Sequence, residues 1–204
     1  HPLCSPYRAS LLTGKYPYSN GVITNSNSFG NRFGSYLKSC ERCLSDVLKD
    51  AGYSCGYIGK WHLDPPEVPP AATWKKSVWD AYTPPGPRRH GFDFWHAYGC
   101  QNNHFRPSYD VGNSPPGARL TVDQWSPEHE ADIACEFIRN KDGACRAAGQ
   151  PFALVVSMNP PHMPYSHVPE RYRKMYADAD PRALLNRPNV RIAGEAERAP
   201  NSVR

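Results

Sequence analysis

The strongest constraint on the fold is the stretch FALVVSM at 152–158, apolar at every position but Ser157 and halted by the proline-rich NPPHMPY that follows. It has the length of a strand, and a strand apolar on both faces must be covered on both faces. That is the condition of a central strand in a largely parallel sheet layered with helices. A bilayer span needs roughly 18 apolar residues, and no run in the chain approaches this, so the sequence carries no membrane-spanning segment.

Helix signals alternate with strand signals along the chain. Ser5 and Pro6 form a cap-plus-proline start for a helix that turns Leu11 and Leu12 inward and ends at Gly14, with Cys4 just ahead of its first turn. A second helix is predicted over 36–50, closed by Gly52, followed by a strand over 54–58 that runs into GKWHL. Ser126 and Pro127 repeat the start signal for a helix through Asn140, with Ala131, Ala134, Cys135 and Ile138 facing inward. The Asn-, Ser- and Gly-rich 18–34 reads as loop, and 64–117, with DPPEVPP, TPPGPRR and NSPPG, as ordered loop and short turns. A short helix over 169–176 precedes a polar tail, giving a partial domain over 1–186 and a tail over 187–204. The class is α/β with helices on both faces of the sheet.

Charge and cysteine content narrow the function. The 24 Lys and Arg and 19 Asp and Glu are interleaved without blocks of one sign, which excludes a nucleic-acid arm. Seven cysteines leave at least one unpaired. Cys40 and Cys43 form a CxxC, but Leu37, Leu44, Val47, Leu48 and Ala51 share their helical period. A core face therefore explains the pair better than a zinc or redox site, and no second CxxC exists. There is no Asn-x-Ser/Thr acceptor, which leans against a glycosylated product.

In open α/β sheets ligands bind beyond the carboxyl ends of strands. GKWHL and NPPHMPY both hold that position, and the loop entering the first helix can join them. These loops carry Cys4, Arg8, Lys60, His62 and His162. A helix N-terminus offers unpaired N–H groups and a positive dipole end, suited to a tetrahedral anion such as sulfate or phosphate. Arg8 adds a forked cation one turn from Cys4, Lys60 a point charge, and the two histidines can donate to a leaving oxygen. Taken singly, each has a plainer reading: Cys4 as a small buried hydrophobe, Arg8 as an ion-pairing surface residue, the histidines as structural.

Together the motifs resemble those of the type I, formylglycine-dependent sulfatases of the alkaline-phosphatase-like superfamily. CSPYRASLLTG is similar to their modification signature, CxPxR followed by LTG, and GYSCGYIGKWHL at 52–63 to their second signature. HGFDFW at 90–95 and PFALVVSMNPPHMPY at 151–165 are similar to further segments. The resemblance implies an alkaline-phosphatase-like sandwich with a largely parallel central sheet, incomplete at both ends as an N-terminal catalytic fragment. It implies hydrolysis of sulfate esters, on a small-molecule or carbohydrate substrate. It further implies that a formylglycine-generating enzyme oxidises Cys4 to formylglycine, that one hydroxyl of the hydrated aldehyde attacks sulfur as the alcohol departs, and that the other hydroxyl then expels sulfate. Arg8 then holds formylglycine, Lys60 and His162 bind sulfate oxygens, and His62 assists the hydroxyl.

The same resemblance implies Ca²⁺, with the formylglycine oxygen at position 4 as one ligand. Its other ligands have no counterpart in this stretch, and weak calcium binding and little turnover by these 204 residues alone are expected. A phosphonate or phosphodiester hydrolase using the same chemistry and a non-catalytic anion-binding remnant are the alternatives. By the family a periplasmic or secreted compartment is favoured. The wall of the pocket is expected from Trp74, Trp79, Trp95 and Tyr98, with His104–Arg106 as a further substrate contact.

Overall fold

A computed structural model describes residues 2–70, 73–184 and 187. They fall into two units, His1–His167 and Val168–Arg204. The polar tail expected from 187 onward lies, Arg187 apart, outside the described residues.

The first helix, α1 (Cys4–Thr13), begins two positions earlier than the cap-plus-proline signal suggests. Leu3 is the N-cap, because the Ser5 hydroxyl is spent on a distant carbonyl instead of the helix start. Gly14 ends it in the left-handed conformation. Ser5, Pro6, Ala9 and Leu12 form its buried stripe, while Leu11 is exposed on the opposite side. The expected loop at 18–34 is a buried polar segment with a short helix, α2 (Pro17–Asn20), and a 3₁₀ turn (Gly30–Phe33). Its asparagines stand in for missing backbone partners: Asn20, Asn25 and Asn27 accept from the N–H groups of Val22, Ser5 and Gly30.

Helix α3 (Leu44–Asp50) is much shorter than the predicted 36–50. Cys43 opens it through a capping box in which its sulfur accepts the Asp46 N–H and the Asp46 carboxylate accepts the Cys43 N–H at 2.8 Å. A cysteine is not an expected N-cap, so the start signal was invisible. Cys43 is core, as expected, but Cys40 lies outside the helix and is exposed.

Strand β1 (Ser54–Lys60) is buried along its whole length and runs two residues past the predicted end. It is the axis of a five-stranded sheet of order β4-β3-β2-β1-β5, in which β2 (Phe94–Tyr98) and β5 (Phe152–Ser157) flank β1 in parallel. Strands β3 (Ser108–Val111) and β4 (Leu120–Thr121) extend it antiparallel beyond β2. Two strands thus lie inside the region read as loop. Both are short and bounded by Pro and Gly, which hid them. The apolar strand that anchored the α/β reading, β5, is at the edge of the sheet among the described residues, and the strand with a parallel partner on each side is β1.

One face of β1 carries the aromatic core. Tyr57 meets Trp61, Phe92 and Trp95 at ring separations of 4.9, 5.1 and 5.5 Å, and Ala9, Leu12 and Leu37 close over them. The other face receives α4 (Ser126–Arg139), whose Phe137 sits against Gly56. Its inward residues are Glu130, Ala134 and Phe137, whereas Ala131, Cys135 and Ile138 are exposed. The turning point is Glu130: a charge-bearing residue was placed outside by default, which rotated the expected apolar face by about one position. The second unit holds α5 (Glu170–Lys174), within the predicted 169–176, and α6 (Pro181–Leu184).

Candidate active site

The three parallel strands β2, β1 and β5 end at one edge of the sheet, and the candidate residues lie there. Lys60 is the last residue of β1, and Gly59 before it has φ +95° with the Ser157 carbonyl so close that a Cβ would collide. Glycine at this point lets β5 approach and turns the chain so that Lys60 and His62 both fold inward.

Helix α1 is fastened to this edge by its first two turns. The Ser5 hydroxyl donates to the His62 carbonyl at 2.6 Å and accepts from the Ser26 N–H at 2.9 Å. Arg8 Nη1 donates to the Lys60 carbonyl at 2.6 Å and to the Ser157 hydroxyl, with the Tyr57 hydroxyl at 3.5 Å. One guanidinium nitrogen thereby joins α1, the end of β1 and the end of β5. Cys4 is a free, half-buried thiol at the first position of α1, one turn from Arg8.

Lys60 is only 1% exposed, and its ammonium donates to Asn159 Oδ1 at 3.2 Å. His62, 2% exposed, has φ +54°, a left-handed conformation uncommon for a residue with a side chain. Its Nε2 lies 3.1 Å from the Ser26 carbonyl, which only accepts, so Nε2 carries the proton. Nδ1 is then a buried lone pair without a partner. Burial, followed by the charges of Lys60 and Arg8, pushes the His62 pKa well below the ordinary value, and His162 adds to that field. The imidazole is therefore a neutral acceptor. His162 is half-buried and holds its Nδ1 2.9 Å from the Met163 carbonyl.

Cys100 also lies here. Burial raises its thiol pKa, while Lys60, Cys4 and Arg8 all lie within electrostatic range of it. Arg8, Lys60, His62 and His162 thus share one neighbourhood, while Cys4 stands one turn from Arg8 and within electrostatic range of Cys100. Sequence reasoning missed Asn159, Ser5, Cys100 and the role of His104, which is buried with Nε2 3.2 Å from Asn159 Nδ2. Asn159 sits three residues before His162 in the same motif, and that adjacency was the available signal. Of the four expected wall aromatics, Trp95 and Tyr98 are core residues. Trp79 stands beside His62 at 6.1 Å and packs edge-on against the exposed Trp74 at 4.7 Å. Arg106 is exposed.

Calcium requires about six or more oxygens. Among the described residues, the grouping of His, Cys, Asp or Glu close enough to share an ion is Cys43, Asp46 and His90, which does not include Cys4. It is the cap of α3: the thiol and carboxylate are engaged with each other's backbone, and His90 Nδ1 lies 3.1 Å from the Glu41 carbonyl. Burial, then Asp46 and Glu41, push the Cys43 thiol up to about 12. A thiol, an imidazole and a single carboxylate do not fit a hard cation, so the described residues by themselves do not make a calcium site.

Fold and site define a layered α/β protein that gathers Arg8, Lys60 and the imidazoles of His62 and His162 at the carboxyl edge of its sheet. The family model described as Sulfatase matches residues 1–190. The chain belongs to the sulfatase family. It is 40% identical over 198 residues to an endo-4-O-sulfatase of Bacteroides thetaiotaomicron, covering 93% of this chain and 38% of that protein. An ulvan-active sulfatase of Formosa agariphila is 36% identical over 198 residues, covering 96% of this chain and 32% of that protein. The solved structure of yidJ, assigned as a sulfatase, from Bacteroides fragilis superposes with a TM-score of 0.81 at 46% identity, covering 96% of this chain and 42% of that one. The chain therefore spans less than half the length of the relatives it matches.

Proposed function

We propose that this chain carries the nucleophile and the sulfate-binding residues of a sulfatase acting on sulfate esters of carbohydrates. The observation that carries the reading is the set of three contacts that fastens the two cations of the site. Arg8, one turn from Cys4 on α1, binds the Lys60 carbonyl and Ser157, and Lys60 binds Asn159, so two cations are fixed at the ends of β1 and β5 beside the start of α1. Carbohydrate is the substrate class that the relatives' names support.

In this reading a formylglycine-generating enzyme converts Cys4 before the site is used, and the hydrated aldehyde supplies a hydroxyl nucleophile where a thiol would not serve. The orphaned Nδ1 of His62 fits that modification, because a hydroxyl at position 4 gives a buried lone pair the donor it lacks. The Ser26 carbonyl holds His62 in the tautomer that accepts, and its low proton affinity keeps it neutral near pH 7. Lys60 faces the sulfate oxygens, where preorganised positive charge stabilises the transferring group. His162 holds its Nδ1 against the Met163 carbonyl, so its Nε2 donates to the same oxygens only when the ring is the imidazolium. Arg8 fixes the loops through Nη1 and contributes its charge to formylglycine. A calcium ion would need oxygens from beyond these residues.

The test is turnover of nitrophenyl sulfate and of a sulfated disaccharide by a full-length protein containing this chain, coexpressed with a formylglycine-generating enzyme. Lys60→Ala is expected to lower kcat/KM by roughly 100- to 1000-fold. Preference for a nitrophenyl phosphodiester, or full activity in Lys60→Ala, contradicts the reading.

A further inference from the structure

The hydrogen bonds around Asn159 permit one arrangement only. An ammonium has three donors and no acceptor, so the contact from Lys60 fixes Oδ1 as the end of the amide that faces it. Nδ2 then points to the other side, where it lies 2.7 Å from the Gln101 carbonyl, 3.2 Å from Asn102 Oδ1 and 3.2 Å from His104 Nε2. A carbonyl and an amide oxygen accept, and His104 Nε2 accepts when the ring proton is on Nδ1. Turned over, the amide would set N–H groups against the ammonium and an oxygen against three acceptors. Asn159 is only 6% exposed, and such a mismatch in a buried place is costly.

A residue kept only to fill space needs no such polarity. Here a buried donor is held by an acceptor that is itself held by a segment from a different loop. Lys60 makes this one hydrogen bond among the described residues, which leaves two of its N–H groups for an outside oxygen. The 101–104 segment continues into Phe105 and Arg106, both exposed.

We propose that Asn159 is the positioning residue of the site: it aims the Lys60 ammonium at the anion and ties it to the 101–104 segment. The proposal rests on the sulfatase reading for the identity of the anion, and on geometry for the rest. Contacts that a substrate makes on the 101–106 loop are transmitted to Lys60 through a single amide.

The test uses the full-length protein with Asn159→Leu, similar in volume but without polar ends, and Asn159→Asp, which keeps an acceptor for Lys60 while cancelling its charge. Two quantities are read. The first is acetylation of Lys60 by acetic anhydride, which transfers its acetyl group to the amine with loss of acetate, located by peptide mass spectrometry and scaled to the other lysines. The second is the inhibition constant of inorganic sulfate, with KM and kcat for a sulfate ester. In Asn159→Leu, Lys60 is expected to lose its protection and the sulfate inhibition constant to rise about tenfold or more, the worth of one hydrogen bond to a charged group. In Asn159→Asp, Lys60 is expected to stay protected while sulfate is still weakened. A folded Asn159→Leu protein with Lys60 protection and sulfate inhibition unchanged overturns the proposal. Should Asn159→Leu not fold, loss of Lys60 protection in Asn159→Asp does the same. If the wild type neither hydrolyses sulfate esters nor binds sulfate, the sulfatase reading fails, and the acetylation pattern still decides the part played by Asn159.

Discussion

His62 shows how a single side chain can be committed by its surroundings. Its backbone is held at φ +54°, a conformation that costs on the order of 1–3 kcal/mol and persists only where neighbours enforce it. The enforcing contact is the Ser5 hydroxyl on the His62 carbonyl. Burial is the main cause of its low proton affinity and Lys60 the next. In Lys60→Met the His62 pKa is therefore expected to rise while staying below its ordinary value, because burial remains; NMR titration of the imidazole reads this, and no movement would mean the two groups do not share a field. Gly59 is the second committed residue. With φ +95° and the Ser157 carbonyl against the place of a Cβ, Gly59→Ala adds backbone strain to a collision, and a loss of about 3 kcal/mol or more is expected in denaturant unfolding. A loss below about 1 kcal/mol would show that β5 can move away from β1 at little cost.

Among elements, α4 carries the chain's most unusual burial. Glu130 is fully buried against β1 with Tyr109 donating to Oε1 and with Oε2 unpartnered, and burial pushes its pKa up to about 8. The folded form thus holds a proton that the unfolded chain releases near 4.5, and stability falls as pH rises between these values. Nearby, His96 Nε2 and His129 Nε2 are 2.9 Å apart, and burial, with His129 second, lowers His96 to about 4. Here the folded form refuses a proton that the unfolded chain takes up below 6.5, so stability falls as pH drops from 6.5 to about 4. The slopes oppose each other below 6.5, and Glu130 acts alone above it. Between pH 6.5 and 8 the wild type is expected to lose about 2 kcal/mol, and Glu130→Gln to abolish that decline while keeping the acid-side one. Melting curves across this range check it, and an alkaline decline that survives in Glu130→Gln would contradict it.

The elements also show where sequence reading stops. Glu130 inverted the expected face of α4, because a lone carboxyl is placed outside unless something reveals its proton. Cys43 hid the start of α3, since a thiol in a capping box leaves no mark in a list of cap residues. Strands β2 and β3 were lost among prolines because they are held by β1 and by each other, which no local window contains.

At the scale of the molecule, what was legible is the layering and the edge at which the chemistry sits. An apolar strand, two helix starts and two motifs after strand ends pointed to the edge where Arg8, Lys60 and His62 lie, because parallel strands deliver their carboxyl ends to a common side, while the choice of Cys4 and His162 leaned on the resemblance. The fastenings were not legible. Ser5 to His62, Arg8 to Ser157 and Lys60 to Asn159 join residues 57, 149 and 99 positions apart, and pairings at such distance are decided by packing. The placement of Asn159 and His104 belongs to this second group.

The central claim is that the residue at position 4 works as an aldehyde inside this cationic edge. Peptide mass spectrometry after coexpression with a formylglycine-generating enzyme, with hydrazide capture of carbonyl-bearing peptides, tests it most directly. The account predicts a captured peptide spanning 4–8 with the mass of formylglycine in place of cysteine. Recovery of that peptide only as the unmodified thiol, from a folded protein and an active modifying enzyme, would contradict it.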